Sequence, residues 1–147
     1  MTGLRNDINI EILRQRIGEN LPGFLGIEIV ELQENQLRSR MTLQKIHFAP
    51  NTYLHAASVI GLADTTAGFA TYAHLPLGSD SFTTIELKAN FLGTTREGAI
   101  LCVAKAQHLG RNTQVWDAEV FDETSGKKIA LFRCSQMVLW PKKGERK

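Results

Sequence analysis

The sequence predicts an α+β fold: an antiparallel sheet wrapped around one long central helix, with an extra helix at the N-terminus. Three observations carry that prediction. Residues 54–74 form a long apolar stretch of helical length. Two strand-like runs precede it between residues 24 and 43, and four more follow it between residues 84 and 140. A sheet accompanied by a single apolar helix must curl round that helix to hide both apolar surfaces.

The elements follow in order. Leu4, Ile8, Ile12, Leu13 and Ile17 recur at helical spacing over residues 4–20, and Leu21-Pro22-Gly23 ends that helix. Runs at 24–32 and 36–43 read as a hairpin about the polar turn Gln33-Glu34-Asn35. A loop at 47–52 leads into the central helix, and a loop at 75–81 leaves it. Ile85, Leu87, Ala89 and Phe91 then alternate with Thr84, Glu86, Lys88 and Asn90, the pattern of a half-buried strand. Residues 99–107, 114–122 and 128–140 give three more strands. Their connections at 108–112 and 122–127 are of hairpin length and rich in Gly, Asn and Ser. No repeat or linker divides the chain, so residues 1–147 read as one domain, with 1–22 as a helical segment and 141–147 as a polar tail expected to fray.

At 147 residues the chain has the size of one ordinary domain, large enough to bury a core without disulfides or metals. Hydrophobic residues at 43% and charged residues at 22% exclude a disordered or fibrous chain. Lys and Arg exceed Asp and Glu by 17 to 15, too even a balance to mark nucleic acid or an anionic membrane as the partner. Cys102 and Cys134 sit inside apolar runs and read as buried thiols. Acids at Asp7, Glu11 and Glu19 interrupt the N-terminal arginines and no apolar h-region follows, so no targeting peptide is expected. Residues 54–75 come closest to a membrane span, but Asp64 near their middle argues for a helix buried in protein. The expected compartment is the cytoplasm.

Phosphate-cradling, dinucleotide-binding and GxSxG motifs are absent. His47, His55, His74 and His108 have no partner at metal-ligand spacing and read as structural. Asp64 stands out. Its same-face neighbours on a helix are Ile60, Gly61, Ala67 and Gly68, a small apolar stripe that faces packing instead of bulk water. A carboxylate there either caps or pairs with a neighbouring element, or serves as a general base or nucleophile with a raised pKa. The second feature is the helix start, Asn51 to Ser58. Its unpaired N–H groups either are capped by Asn51, Thr52 or Ser58, or form an oxyanion hole. Nine residues separate His55 from Asp64, about 13 Å along one helix. One carbonyl cannot touch both ends within one chain. A single site using both features therefore needs two helices, packed antiparallel across a two-fold axis, and an obligate dimer.

The order of elements matches the hotdog architecture, in which the sheet is the bun and the central helix the sausage. The segments LHAASVIGLADTTAG, TTIELKANFLGTTREG and HLGRNTQVWDAEVFDETSGKKIALFRCSQMVL, in that order, resemble PaaI-like hotdog acyl-CoA thioesterases over about residues 23–140. The resemblance implies hydrolysis of an acyl-CoA thioester at a site shared between two subunits. Asp64 would activate water or attack the thioester carbon, His55 would order the helix start, and the Ala56 N–H would polarise the thioester oxygen. Asn51 is the nearest counterpart of an upstream Asn or Gln, two residues later than in the family, and Thr84 aligns with a hydroxyl that holds water. Arg111, Asn112 and Thr113 match the region that contacts the nucleotide half of CoA, and read equally as a polar hairpin turn.

No cofactor is implied beyond the CoA of the substrate. The implied partners are that substrate and a second copy of the chain, as a homodimer or a dimer of dimers, with no nucleic acid and no membrane. One departure matters: the family's HGG is His55-Ala56-Ala57 here. It keeps open a non-catalytic module that binds acyl-CoA or an acyl carrier. A hotdog hydroxyacyl dehydratase, pairing His55 with Asp64 across the dimer, is a third reading. The acyl group is not specified; Phe48, Tyr53, Phe69 and Phe82 are expected pocket walls or ordinary core.

Overall fold

The computed structural model describes residues 3–142; residues 143–147 of the expected frayed tail lie outside the described residues. Asn9 opens the first helix, its Oδ1 accepting a hydrogen bond from Ile12 N at 3.0 Å. That helix, α1 (Ile10–Ile17), is shorter at both ends than the predicted 4–20. Gly18, at φ 53°, ends it in a left-handed conformation that glycine adopts without a Cβ clash. Pro22 then sits in the first turn of a separate single-turn helix, α2 (Leu21–Phe24), so Leu21-Pro22-Gly23, expected to end the first helix, instead builds a second one. Residues ahead of α1 form a strap, with Arg5 N donating to Ala73 O at 2.9 Å.

The hairpin β1 (Ile27–Gln33) and β2 (Gln36–Thr42) turns through Asn35 at φ 63°. Phe24 belongs to α2, which delays β1 by three residues against the predicted start at 24. A short 3-10 turn, Lys45–His47, precedes the central helix α3 (Ala56–Ala73). Then come β3 (Ser81–Phe91), β4 (Ala99–Leu109), β5 (Thr113–Asp122) and β6 (Lys128–Leu139). All six strands join one antiparallel sheet in the order β1-β2-β4-β5-β6-β3. This is the hotdog fold expected from the sequence.

Small residues set how closely helix and sheet approach. Ala63, Ala67 and Ala70 of α3 are buried in one core with Leu37 and Met41 of β2, Ile100, Cys102 and Ala104 of β4, and Trp116 and Ala118 of β5. At about 25 cal/mol per Å² of apolar surface removed from water, this core is the main stabilising contribution to the fold. Both cysteines are free and buried, and burial pushes each thiol up to about 12.

β3 departs from the expected half-buried strand. Its register sets Leu87, Ala89 and Phe91 opposite Cys134, Phe132 and Ala130, on the sheet face that carries the core. Ile85 falls at a bulge between Thr84 and Glu86, which takes it out of that alternation. β3 is also the last strand of the sheet, away from the β2, β4 and β5 surface that carries the buried face of α3. Ile85, Leu87 and Phe91 are accordingly 53%, 42% and 47% exposed.

Candidate active site

Asp64 lies midway along α3, on the side turned toward β3. Its Oδ1 is buried and has no hydrogen-bond partner among the described residues. Burial, with no compensating positive charge, raises the Asp64 pKa above the ordinary carboxylate value. The carboxylate lines a pocket of about 280 Å³ together with Thr65, Gly68 and Phe69 of α3 and Phe82 and Thr84 of β3. Gly68 keeps that wall open, since a Cβ there would stand 3.5 Å from the Phe82 ring. The structure thus brings Asp64 and Thr84 together, with two of the four expected wall residues.

The helix start is a second, separate cluster. His55 is the N-cap of α3, its Nδ1 accepting from Ala57 N at 2.9 Å. That bond assigns the ring proton of neutral His55 to Nε2. Ala56 is exposed, and no acceptor among the described residues takes its N–H. His47 anchors this turn from below. Its buried ring accepts from Gln44 N and donates to Leu25 O, each at 2.9 Å. Its backbone oxygen accepts from His55 N at 3.0 Å and from Ser58 Oγ at 2.8 Å. Asn51 is exposed, and its Oδ1 accepts from Tyr53 N at 3.2 Å in a turn where Thr52 has φ 71°. Its side chain serves the loop, and the capping alternatives raised for Asn51 and Thr52 fall to His55. Phe48 and Tyr53 belong to this region as well, with the Arg96 guanidinium 5.2 Å from the Tyr53 ring.

Arg111 and Asn112 lie in the exposed turn between β4 and β5, and Thr113, also exposed, is the first residue of β5. Gly110 N donates to Thr113 O and Val138 N to Asn112 O, each at 2.9 Å, so the backbone of this turn is structural. Arg111 stacks 4.6 Å from the Trp140 ring and lines an open depression with Asn35 and His108. The described chain therefore divides the candidate residues among three places.

Four lining residues, Arg16, Pro22, Thr65 and Tyr72, escaped sequence reasoning. Tyr72 had a signal, because Asp64, Gly68 and Tyr72 recur every four residues along one helix face. Arg16 had none, since only tertiary packing brings α1 beside α3. It lines the Asp64 pocket with Pro22, its guanidinium 4.1 Å from the Tyr72 ring. Among the described residues, no cluster of three His, Cys, Asp or Glu side chains could hold a metal, and no helix is long and apolar enough to cross a membrane.

A raised-pKa carboxylate in an apolar pocket, beside a hydroxyl, is a constellation for moving a proton. The family model of the thioesterase superfamily matches residues 51–129, from the loop before α3 into β6. The chain belongs to the thioesterase superfamily. It is 30% identical over 135 residues to the 1,4-dihydroxy-2-naphthoyl-CoA hydrolase of Escherichia coli K12, covering 92% of this chain and 98% of that protein. The crystal structure of a thioesterase from Haemophilus influenzae superposes with a TM-score of 0.88 at 25% identity, covering 97% and 99% of the two chains. The PaaI protein of Escherichia coli shares the fold, with a TM-score of 0.76 at 20% identity over 89% of this chain and 96% of that one. The superfamily match contains both Asp64 and the helix start that lies apart from it.

Proposed function

We propose that this thioesterase hydrolyses an acyl-CoA thioester to free acid and CoA, at a site completed by a second copy of the chain. The observation that carries this reading is the Asp64 carboxylate, one oxygen of it buried and unpartnered, in a pocket shared with Thr84 and walled by Phe69, Tyr72 and Phe82. Thr84 holds a water, and Asp64 takes its proton as the hydroxide adds to the thioester carbon. The carbonyl oxygen becomes an oxyanion and is borne by the free N–H of Ala56 from the partner subunit. The C–S bond then breaks, and the CoA thiolate leaves with the proton that Asp64 returns. His55 holds the helix end in place through Ala57. Asn51 sits on the adjoining loop, where it orders the turn.

A dimer is supported by geometry and by surface. Asp64 and Ala56 of one chain are eight residues apart on one helix, about 12 Å along its axis. The edge strand β3 exposes Ile85, Leu87 and Phe91 beside the Asp64 pocket, an apolar surface of the kind a partner covers. In this reading Arg111, Asn112 and Thr113 meet the anionic nucleotide half of CoA, and the assembly is a dimer or a dimer of dimers. The two unpaired thiols fit a reducing cytoplasm. The chemistry needs only water, a carboxylate and amides, so no resident cofactor or metal enters it.

The test is thiol release from a panel of short, long and aryl CoA thioesters, including 1,4-dihydroxy-2-naphthoyl-CoA. Turnover that Asp64→Asn lowers about 100-fold or more supports the reading. Saturable binding of the panel without turnover would instead make the protein an acyl-CoA binding module.

A further inference from the structure

Two guanidinium groups flank the Tyr72 ring, Arg5 at 6.0 Å and Arg16 at 4.1 Å. They are not equivalent. Arg5 is neutralised by Asp7 through two hydrogen bonds of 2.9 and 2.6 Å. Arg16 has no carboxylate within ion-pair distance among the described residues, and it lines the same pocket as Asp64. Asp64 is itself unpaired, and the only cause of its shift is burial. The acid and the cation therefore belong to separate parts of one pocket.

The rest of the lining sets what lies between them. Phe69, Tyr72 and Phe82 supply aromatic walls, and Gly68, between Asp64 and Tyr72 on the helix, adds no side chain to the pocket. Asp64 and Tyr72 are eight residues apart on α3, about 12 Å along the axis. That span takes one aromatic ring between a thioester carbonyl at Asp64 and an acidic group at Arg16. The pocket volume of about 280 Å³ lies just under the roughly 300–1,000 Å³ of sites that enclose a whole ligand. It suits an acyl group alone, with CoA outside.

We propose that Arg16, held against Tyr72 at the wall of the Asp64 pocket, selects aromatic acyl groups that carry a carboxylate on the ring, away from the thioester. A planar guanidinium meets a carboxylate through two parallel hydrogen bonds, and stacking on Tyr72 orders it before substrate arrives. This rests on the hydrolase reading above and adds the substrate class to it.

The experiment compares kcat/KM for 4-carboxybenzoyl-CoA and benzoyl-CoA, in the wild type, Arg16→Met and Arg16→Lys. The wild type should favour the carboxylated thioester by about tenfold or more. Arg16→Met should bring the ratio near one, mainly through KM for the carboxylated substrate. Arg16→Lys, which keeps the charge but not the fork, should fall between. Equal kcat/KM for the two thioesters in the wild type, or a preference that survives Arg16→Met, overturns the proposal. Absence of turnover on both thioesters, with turnover of another member of the panel, also overturns the proposal, whereas absence of turnover across the whole panel counts against the hydrolase reading instead. Calorimetric binding of terephthalate against benzoate, in wild type and Arg16→Met, then decides the role of Arg16 by itself.

Discussion

Asp64, half-buried with one carboxylate oxygen fully enclosed, and His74, wholly buried, are ionisable groups whose surroundings give them opposite tasks. Asp64 has an oxygen with no partner and a pocket in front of it. As a base it must be ionised, so kcat/KM should fall with decreasing pH through a midpoint above the ordinary Asp value near 3.9. A pH–rate profile with no acid limb there would remove Asp64 from the proton transfer. His74 is fully committed by contrast. Its Nδ1 donates to Ala70 O at 2.8 Å, its Nε2 accepts from Asn35 N at 2.9 Å, and its ring meets Trp116 edge-on at 5.2 Å. Burial lowers its pKa below the usual 6.5, against a weaker opposing pull from the Ala70 carbonyl and Glu34. The unfolded chain then binds the His74 proton first, so stability is complete above about pH 6.5 and falls as pH drops from there toward the depressed folded value. Urea midpoints at pH 7.5 and 5.5 should show that loss, and His74→Gln should reduce it. Asp64 was legible in the sequence because a lone carboxylate on a small apolar stripe needs a reason. Nothing local distinguished the site of Arg16 from a solvated helix face.

At the scale of elements, α3 was the most legible part of the chain, since eighteen residues with one acid can only be a buried helix. Its cap was not. Asn51, Thr52 and Ser58 are the residue types that usually cap, yet the cap is His55, because His47 O takes both His55 N and Ser58 Oγ and fixes the chain entry. His55→Ala should cost about 1 kcal/mol of stability in a denaturant titration and lower kcat by loosening the Ala56 amide. Unchanged stability would show that the His55–Ala57 bond is dispensable. Two further elements were misread for identifiable reasons. The apolar spacing that predicted one helix over residues 4–20 runs through the Asn9 cap and Gly18, so it spans a strap, α1 and the turn that follows. Alternation in β3 placed three of its four apolar residues on one face correctly, but alternation cannot reveal a bulge or an edge position. Those decide that Leu87 and Phe91 are exposed in the single chain.

At the scale of the molecule, the exposed β3 edge and the divided site point to the same conclusion. Leu87→Lys, on the apolar face of the edge strand, should shift the protein from dimer to monomer in sedimentation and abolish turnover at the same concentration. A monomeric variant with full activity would place the whole site in one chain. The hotdog architecture was legible from element order alone. In the sequence, the proposed second subunit rests only on the helix rise between His55 and Asp64.

The most direct test of the shared site mixes two inactive variants. Asp64→Ala removes the base, and Ala56→Pro removes the N–H at the first helical position, where proline is sterically tolerated. Each variant alone should be inactive. Unfolded and refolded together in equal amounts, they should recover about a quarter of wild-type thiol release, because half of the random dimers contain one intact site out of two. Recovery near that level places Asp64 of one chain against Ala56 of the other. No recovery, with mixed dimers shown to form, would contradict a site built across two chains.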